Sequence, residues 1–167
     1  MSISINIQEI KNKLFKKENI FFIGLIFIIF CVDRFTKSQI IDNFSDKTFY
    51  YNDFLNFDLI WNTGVGFGLL SSKSAVFYNL ISGIIALVIL LLFIAAFKSQ
   101  SYDKLIFSII IGGALGNFYD RIIYQAVPDF IDLHYDNFHW FTFNVADIFI
   151  TAGIILFLTN GFFINNK

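Results

Sequence analysis

The chain has 167 residues, of which 56% are hydrophobic and only 15% are charged, and its formal net charge is −1. A soluble domain is normally about one quarter charged, so this composition predicts an integral membrane protein of one domain and excludes an ordinary soluble one. The slightly negative charge and the lack of a basic stripe exclude a nucleic-acid-binding protein, and the single cysteine excludes an internal disulfide.

The first predicted span covers roughly residues 19–41 and follows a cluster of lysines at positions 11, 13, 16 and 17. Basic residues beside a span favour the cytoplasmic side. A signal peptide also begins this way, but small residues at a cleavage site are missing, so we interpret the segment as a retained anchor. Asp33 and Lys37 are four residues apart, which allows either a local ion pair or a solvated pair at the membrane surface.

Residues 42–73 are too polar to span a membrane, and their aromatic and β-branched residues with partial alternation predict short strands. The stretch NTGVGFG, beginning at Asn62, has three glycines within five positions, including Gly64. This spacing predicts a sharp turn or a close approach of the backbone to another group. It is not a phosphate-binding loop, because no Gly-Lys-Ser/Thr follows.

The second predicted span, residues 74–97, has 24 residues without a charge. Lys98, Asp103 and Lys104 are predicted to form a short return loop before the third span, residues 105–123. Glycines in the third span allow close helix packing. A second non-spanning segment, residues 122–142, leads to the fourth span, residues 143–163.

Four spans with a cytoplasmic N-terminus place the C-terminus in the cytoplasm and put residues 42–73 and 122–142 on the opposite face. The predicted fold is therefore an all-α membrane protein with four transmembrane helices and a small β-rich extracytoplasmic segment. It forms a single integral membrane domain over residues 1–167.

Acids near the outer ends of the third and fourth spans indicate a functional site, because a carboxylate in a span costs about 2.5–3.5 kcal/mol. Asn117 with Asp120, and Asn144 with Asp147, repeat the spacing N-x-x-D. Residues three apart on a helix are neighbours, so each Asn can bond its Asp or a shared partner. Asp129 returns to the same face of the membrane.

Two carboxylates held close together share one proton, so one can act as a base towards water while the other acts as an acid. The residues alone leave Asp120 and Asp129 as alternatives for the partner of Asp147. His134 and His139 show no metal-ligand pattern, and we predict neither a metal nor a cofactor. Asp132 and Asp136 are predicted to be loop acids that face water.

Two other functions remain compatible with these residues. A proton-coupled transporter or channel subunit would also carry acids and amides in its spans. Such a protein usually has internal repeats, and only the two N-x-x-D segments repeat here. A structural membrane scaffold would use the glycines as a packing surface.

Five motifs carry a resemblance to a known family. They are DRFTK at 33–37, NTGVGF at 62–67, GGALGNFYDR at 112–121, VPDFID at 127–132 and FNVAD at 143–147. In this order, between four predicted spans, they resemble the lipoprotein signal peptidase (signal peptidase II) family along nearly the whole chain. Pro128 departs from the valine of the usual family pattern.

The resemblance implies an aspartic endopeptidase of the bacterial cytoplasmic (inner) membrane. Its substrate would be a prolipoprotein, cleaved just before a cysteine that carries diacylglycerol, with membrane lipid as the other partner. The chain would act as a monomer without metal, cofactor or nucleic acid. Asp129 and Asp147 match the catalytic pair.

The resemblance also implies supporting roles. Residues that match positions lining or supporting the site are Asn62, Gly64, Asn117, Arg121 and Asn144. Asp33 and Lys37 match a structural pair. The adjacent cation of Arg121 predicts that Asp120 forms a structural ion pair.

Overall fold

A computed structural model describes residues 17–44, 48–64, 75–136 and 138–164. The elements are α1 (Lys17–Phe44), β1 (Phe49–Asn52), β2 (Leu55–Asn62), α2 (Ala75–Lys98), α3 (Ser101–Tyr124), β3 (Val127–Tyr135), β4 (Phe138–Phe143) and α4 (Val145–Ile164). The lysines at 11, 13 and 16, and the glycine-rich segment after Gly64, lie outside the described residues.

Three helices are long and apolar enough to cross a membrane: α1, the part of α2 from Tyr78 to Lys98, and α3. A shorter apolar stretch, Val145–Asn160, lies in α4. Large apolar side chains point away from the helix bundle, for example Phe27 at 64% exposed and Leu90 at 56% exposed. Surfaces of this kind are stable against lipid but not against water, so the chain is a multi-pass membrane protein.

The helix bounds agree with the predicted spans to within four residues. The largest difference is at α3, where the predicted return loop is wrong. Asp103 and Lys104 lie in the first turn of the helix, and residues 99–100 alone separate α2 from α3. An acid is favourable near a helix N-terminus, and the Lys104 Nζ donates to Asn19 Oδ1 of α1 at 2.9 Å. Charged residues therefore do not end this helix.

Helix α3 is the centre of the bundle and packs against α1, α2 and α4. Its glycines allow these close contacts. A Cβ atom on Gly112 would lie 2.8 Å from the Cβ of Ile29 in α1, and one on Gly113 would lie 2.6 Å from the carbonyl oxygen of Ala146 in α4. Only a residue without a side chain fits at either position.

The four strands form one antiparallel sheet in the order β1-β2-β3-β4. Strands β1 and β2 lie where short strands were predicted, whereas no strands were predicted for the segment that forms β3 and β4. Asn62 pairs with Val127, and Ile131 pairs with Phe143. The first part of β3 therefore extends beyond β4. Pro128 is tolerated there because it pairs with β2 alone and no residue of β4 pairs with it.

Candidate active site

Helix α4 begins with a reciprocal pair of hydrogen bonds between Asn144 and Asp147. The Asp147 backbone N–H donates to Asn144 Oδ1 at 3.0 Å, and the Asn144 backbone N–H donates to Asp147 Oδ2 at 3.2 Å. This arrangement has the form of a capping box, with Asn and Asp in place of the usual Ser and Glu. It fixes the Asp147 carboxyl at the N-terminus of the helix, where negative charge is favourable.

Asp129 lies on β3, beyond the end of β4, and is 2% exposed. Its carboxyl accepts one hydrogen bond on each oxygen. The Asn62 Nδ2 donates to Oδ2 at 2.8 Å, and the Asn144 Nδ2 donates to Oδ1 at 2.6 Å. Asn144 therefore contacts both carboxyls, and the structure brings Asp129 and Asp147 to the same place.

The surroundings of Asp129 change its acidity. Burial raises the pKa of this carboxyl to about 6, and the nearby charge of Asp147 acts in the same direction. The hydrogen bonds from Asn62 and Asn144 and the charge of Lys37 partly oppose the increase in pKa. A carboxyl with a pKa of about 6 is protonated in about one tenth of the molecules at pH 7, far more often than a carboxyl with an ordinary pKa.

Lys37 is a fully buried cation behind this pair. Its Nζ donates to Asp33 Oδ2 at 2.9 Å, to Asn117 Oδ1 at 2.8 Å and to Asp120 Oδ2 at 2.7 Å. An ammonium group has three donors, and all three are used. Because Asn117 accepts from Lys37, its amide nitrogen is oriented towards Asp147 and donates to Oδ1 at 2.8 Å.

Asp33 is also buried rather than solvated, and it connects two helices. One carboxyl oxygen accepts from Lys37, and the other accepts from the backbone N–H of Ala146 at 2.9 Å. Asp33 on α1 therefore caps the first turn of α4. The i, i+4 spacing predicted the contact with Lys37, but no feature of the sequence indicated the contact with Ala146.

The predicted ion pair between Asp120 and Arg121 is wrong. Asp120 is bound by Lys37 and by the guanidinium of Arg34, which also lies over the ring of Tyr119. Adjacent residues on a helix point about 100° apart, so Arg121 faces a different direction. Arg34 was missed, although it is the first of the two cations in the DRFTK motif.

Arg121 instead holds the turn that follows β2. Its Nη1 donates to the carbonyl oxygen of Asn117 at 3.1 Å, and its Nη2 donates to the carbonyl oxygen of Gly64 at 3.0 Å. The Gly64 N–H in turn donates to Asn62 Oδ1 at 2.8 Å. Arg121 thus fixes Asn62, whose amide nitrogen bonds Asp129.

A second acid was also predicted incorrectly. Asp132 is only 4% exposed and lies within β3, where its Oδ2 is 2.7 Å from the Nδ1 of His139. His139 pairs across the strands with His134, and their rings stack. Asp136 is exposed at the β3–β4 turn. Within the described ranges, no three His, Cys, Asp or Glu residues are arranged to hold a metal ion.

The fold and the site together define a multi-pass membrane protein with a pair of hydrogen-bonded carboxyls where the sheet meets the helices. The family described as signal peptidase (SPase) II matches residues 25–163. The chain belongs to this family of peptidases.

Curated relatives and solved structures agree with this assignment. The lipoprotein signal peptidase of Pelagibacter ubique is 47% identical over 146 residues, which cover 86% of this chain and 88% of the relative. That of Thermodesulfovibrio yellowstonii is 42% identical, with 80% and 88% covered. A bacterial membrane enzyme determined by the in meso method at 2.3 Å resolution has a TM-score of 0.67 and 32% identity, with 83% of this chain and 85% of that chain covered.

Proposed function

We propose that this protein is an aspartic endopeptidase that removes signal peptides from bacterial prolipoproteins. Cleavage takes place just before the cysteine that carries diacylglycerol. The observation that supports this most strongly is the arrangement of Asp129 and Asp147, two carboxyls bound to the same asparagine. The names of the similar proteins support the substrate.

The two carboxyls divide the chemistry between them. The ionised carboxylate takes a proton from a water molecule, which attacks the peptide carbonyl carbon. The protonated carboxyl gives its proton to the carbonyl oxygen as the tetrahedral intermediate forms. Collapse of the intermediate breaks the C–N bond, and the leaving nitrogen receives a proton from the pair. Burial raises the pKa of Asp129 to about 6, so this carboxyl is able to hold the shared proton at the start.

The membrane setting matches a lipidated substrate. The pair lies where the first turn of α4 and the sheet meet, so water can reach it from outside the helix bundle. A diacylglyceryl group anchored in the lipid would hold the scissile bond at that depth. We propose that α4 is the fourth span, that both termini are cytoplasmic, and that one copy of the chain forms the whole site in the inner membrane.

The test is cleavage of a diacylglyceryl-modified precursor by purified enzyme. Asp129→Asn and Asp147→Asn should each lower kcat at least about 100-fold, because acid–base catalysis contributes about 10²–10⁴-fold. Each variant keeps the shape of the side chain, and the removal of a buried charge offsets the loss of one accepted hydrogen bond, so the thermal midpoints in detergent should stay close to that of the wild type.

Asp136→Asn is the matched control, because Asp136 is exposed at the hairpin turn and should tolerate the change. Normal processing by Asp147→Asn would disprove the assignment of the pair. Normal processing by Asp129→Asn and Asp147→Asn combined would instead favour a structural scaffold.

A further inference from the structure

Two polar atoms beside the carboxyl pair are buried and have no hydrogen-bond partner. Tyr78 on α2 is 7% exposed and Arg121 on α3 is 6% exposed. Within the part of the chain that the structure describes, the Tyr78 Oη and the Arg121 Nε make no hydrogen bond. Buried groups in native proteins are nearly always bonded, so an unpaired donor at a site indicates a missing partner.

Tyr78 and Arg121 lie near each other and near the acids of the site. Arg121 is within electrostatic range of Tyr78, Asp147 and Asp129, and Tyr78 is within range of Arg121 and Asp120. Both terminal nitrogens of Arg121 are already bonded to backbone carbonyl oxygens, so the guanidinium plane is fixed. The direction of its Nε–H is therefore fixed as well.

The chemistry of the region determines what can bind there. The Nε–H can only donate, and the tyrosine hydroxyl can donate. A cation would be repelled by the guanidinium. An anion would be repelled by Asp120, Asp129 and Asp147. A neutral acceptor remains, and the neutral acceptor that every peptide carries is its backbone carbonyl oxygen.

We propose that Tyr78 is a substrate-binding residue whose hydroxyl, together with the Arg121 Nε–H, binds a backbone carbonyl oxygen of the lipidated peptide. The inference rests on the proposed peptidase function. The bound carbonyl belongs to a residue that flanks the scissile bond, because the scissile carbonyl itself must lie between the two carboxyls. Tyr78 lies outside all five motifs that indicated the family.

The alternative is a purely structural role, in which Arg121 donates to the tyrosine hydroxyl directly or through one water. The variant Tyr78→Phe separates the two roles, because it removes the hydroxyl and keeps the ring. A binding role predicts that KM for a diacylglyceryl-modified peptide rises about threefold to tenfold with little change in kcat. The thermal midpoint should stay close to that of the wild type.

A matched Tyr→Phe change at Tyr102, which is exposed at the start of α3, should leave both constants unchanged. A second measurement uses peptides in which one carbonyl oxygen at a time is replaced by sulfur, a weaker acceptor. When sulfur replaces the carbonyl oxygen that Tyr78 binds, the KM of the wild type should rise. With that peptide the wild type and Tyr78→Phe should have the same KM.

The outcomes are distinct. If the wild type cleaves and Tyr78→Phe lowers only the thermal midpoint, the hydroxyl is structural and the inference is wrong, whereas the proposed function stands. If no sulfur position removes the effect of Tyr78→Phe, the hydroxyl does not bind a carbonyl and the inference is also wrong. If the wild type does not cleave the peptide, both the function and the inference fail.

Discussion

Asn144 illustrates how much one side chain can determine. Its side-chain oxygen Oδ1 accepts from the Asp147 N–H and caps α4. Its side-chain Nδ2 donates to Asp129, and its backbone N–H donates to Asp147. A change at this position would therefore disturb the start of a helix and both carboxyls together. The hydrogen bonds from Asn62 and Asn144 favour the ionised form of Asp129, whereas burial favours the neutral form.

The pKa of Asp129 leads to a prediction about pH. In the proposed mechanism the active form has one proton on the pair, and that proton is bound below a pKa of about 6 and lost above it. The kcat/KM should therefore fall as the pH rises through this region. Asn62→Ala removes a hydrogen bond to the ionised form, so the fall should move to higher pH.

The measurement is kcat/KM from about pH 5 to about pH 9 for the wild type and Asn62→Ala. The falling limb of this pH profile is assigned to the pair of carboxyls rather than to one residue. The general loss of activity in the variant does not matter, because only the position of the limb is compared. A limb that moves to lower pH in Asn62→Ala would contradict the described surroundings of Asp129.

At this scale the sequence predicted contacts within one helix, but it did not predict the contacts between elements. The two N-x-x-D repeats placed each Asn near an Asp on the same helix face. In the structure, Asn144 and Asp147 bond each other, and Asn117 and Asp120 share Lys37 as a partner, so both predicted alternatives occur. The bond from Asn117 to Asp147 on another helix was not predicted. Contacts between elements depend on how helices pack, and a single sequence contains no direct record of that packing.

At the scale of elements, the helices were predictable and half of the sheet was not. Long apolar runs define the helices to within four residues. Strand β3 was missed because its first four residues, 127–130, are all buried and do not alternate between polar and apolar types, so the alternation covers only residues 131–135. The contact of this strand with the end of the helix bundle explains the burial.

The packing of α3 against α4 can be tested at Gly113. A methyl group there would lie 2.6 Å from the carbonyl oxygen of Ala146 and 3.0 Å from a side-chain carbon of Ile150. Gly113→Ala should push α4 away, destabilise the protein by about 1–3 kcal/mol and displace Asp147. A displacement of about 1 Å can lower activity about 100-fold.

Gly83→Ala is the matched control, because a methyl group at Gly83 in α2 meets no atom within 4 Å. Its helix should be unchanged or slightly more stable, by up to about 1 kcal/mol, and its activity should be normal. Thermal unfolding in detergent and precursor cleavage measure both effects. Equal behaviour of the two variants would show that α3 and α4 are not in such close contact.

At the scale of the whole molecule, a buried ionic network joins α1, α3 and α4. Two acids, Asp33 and Asp120, are balanced by two cations, Lys37 and Arg34. Buried charges are costly, so an intact ion pair adds little to the free energy of unfolding. Removal of one partner lowers that free energy strongly, because the other charge stays buried without a partner. The network nevertheless gives the three helices one fixed arrangement, because each charge has a specific partner.

Lys37→Met should therefore destabilise the protein by about 3–5 kcal/mol, since it leaves Asp33 and Asp120 short of a cation. Activity should also fall, because Asn117 loses the contact that orients it towards Asp147. Thermal midpoints in detergent measure the first effect, and precursor cleavage measures the second.

Lys98→Met serves as the control, because Lys98 is an exposed lysine at the end of α2. The double variant Lys37→Met/Asp33→Asn should recover part of the lost stability, because it removes one of the unpaired charges. A thermal midpoint for Lys37→Met equal to that of the wild type would mean that Lys37 is not a buried partner of these acids.

The capping of α4 by Asp33 has a consequence for biosynthesis. The acceptor is carried by the first described helix, whereas the N–H groups that need it emerge from the ribosome more than a hundred residues later. A nascent chain released to the translocon before α4 has neither Asp147 nor the Ala146 N–H that donates to Asp33. The two carboxyls therefore stay apart during most of translation, and they come together only when the last described helix docks beside the first.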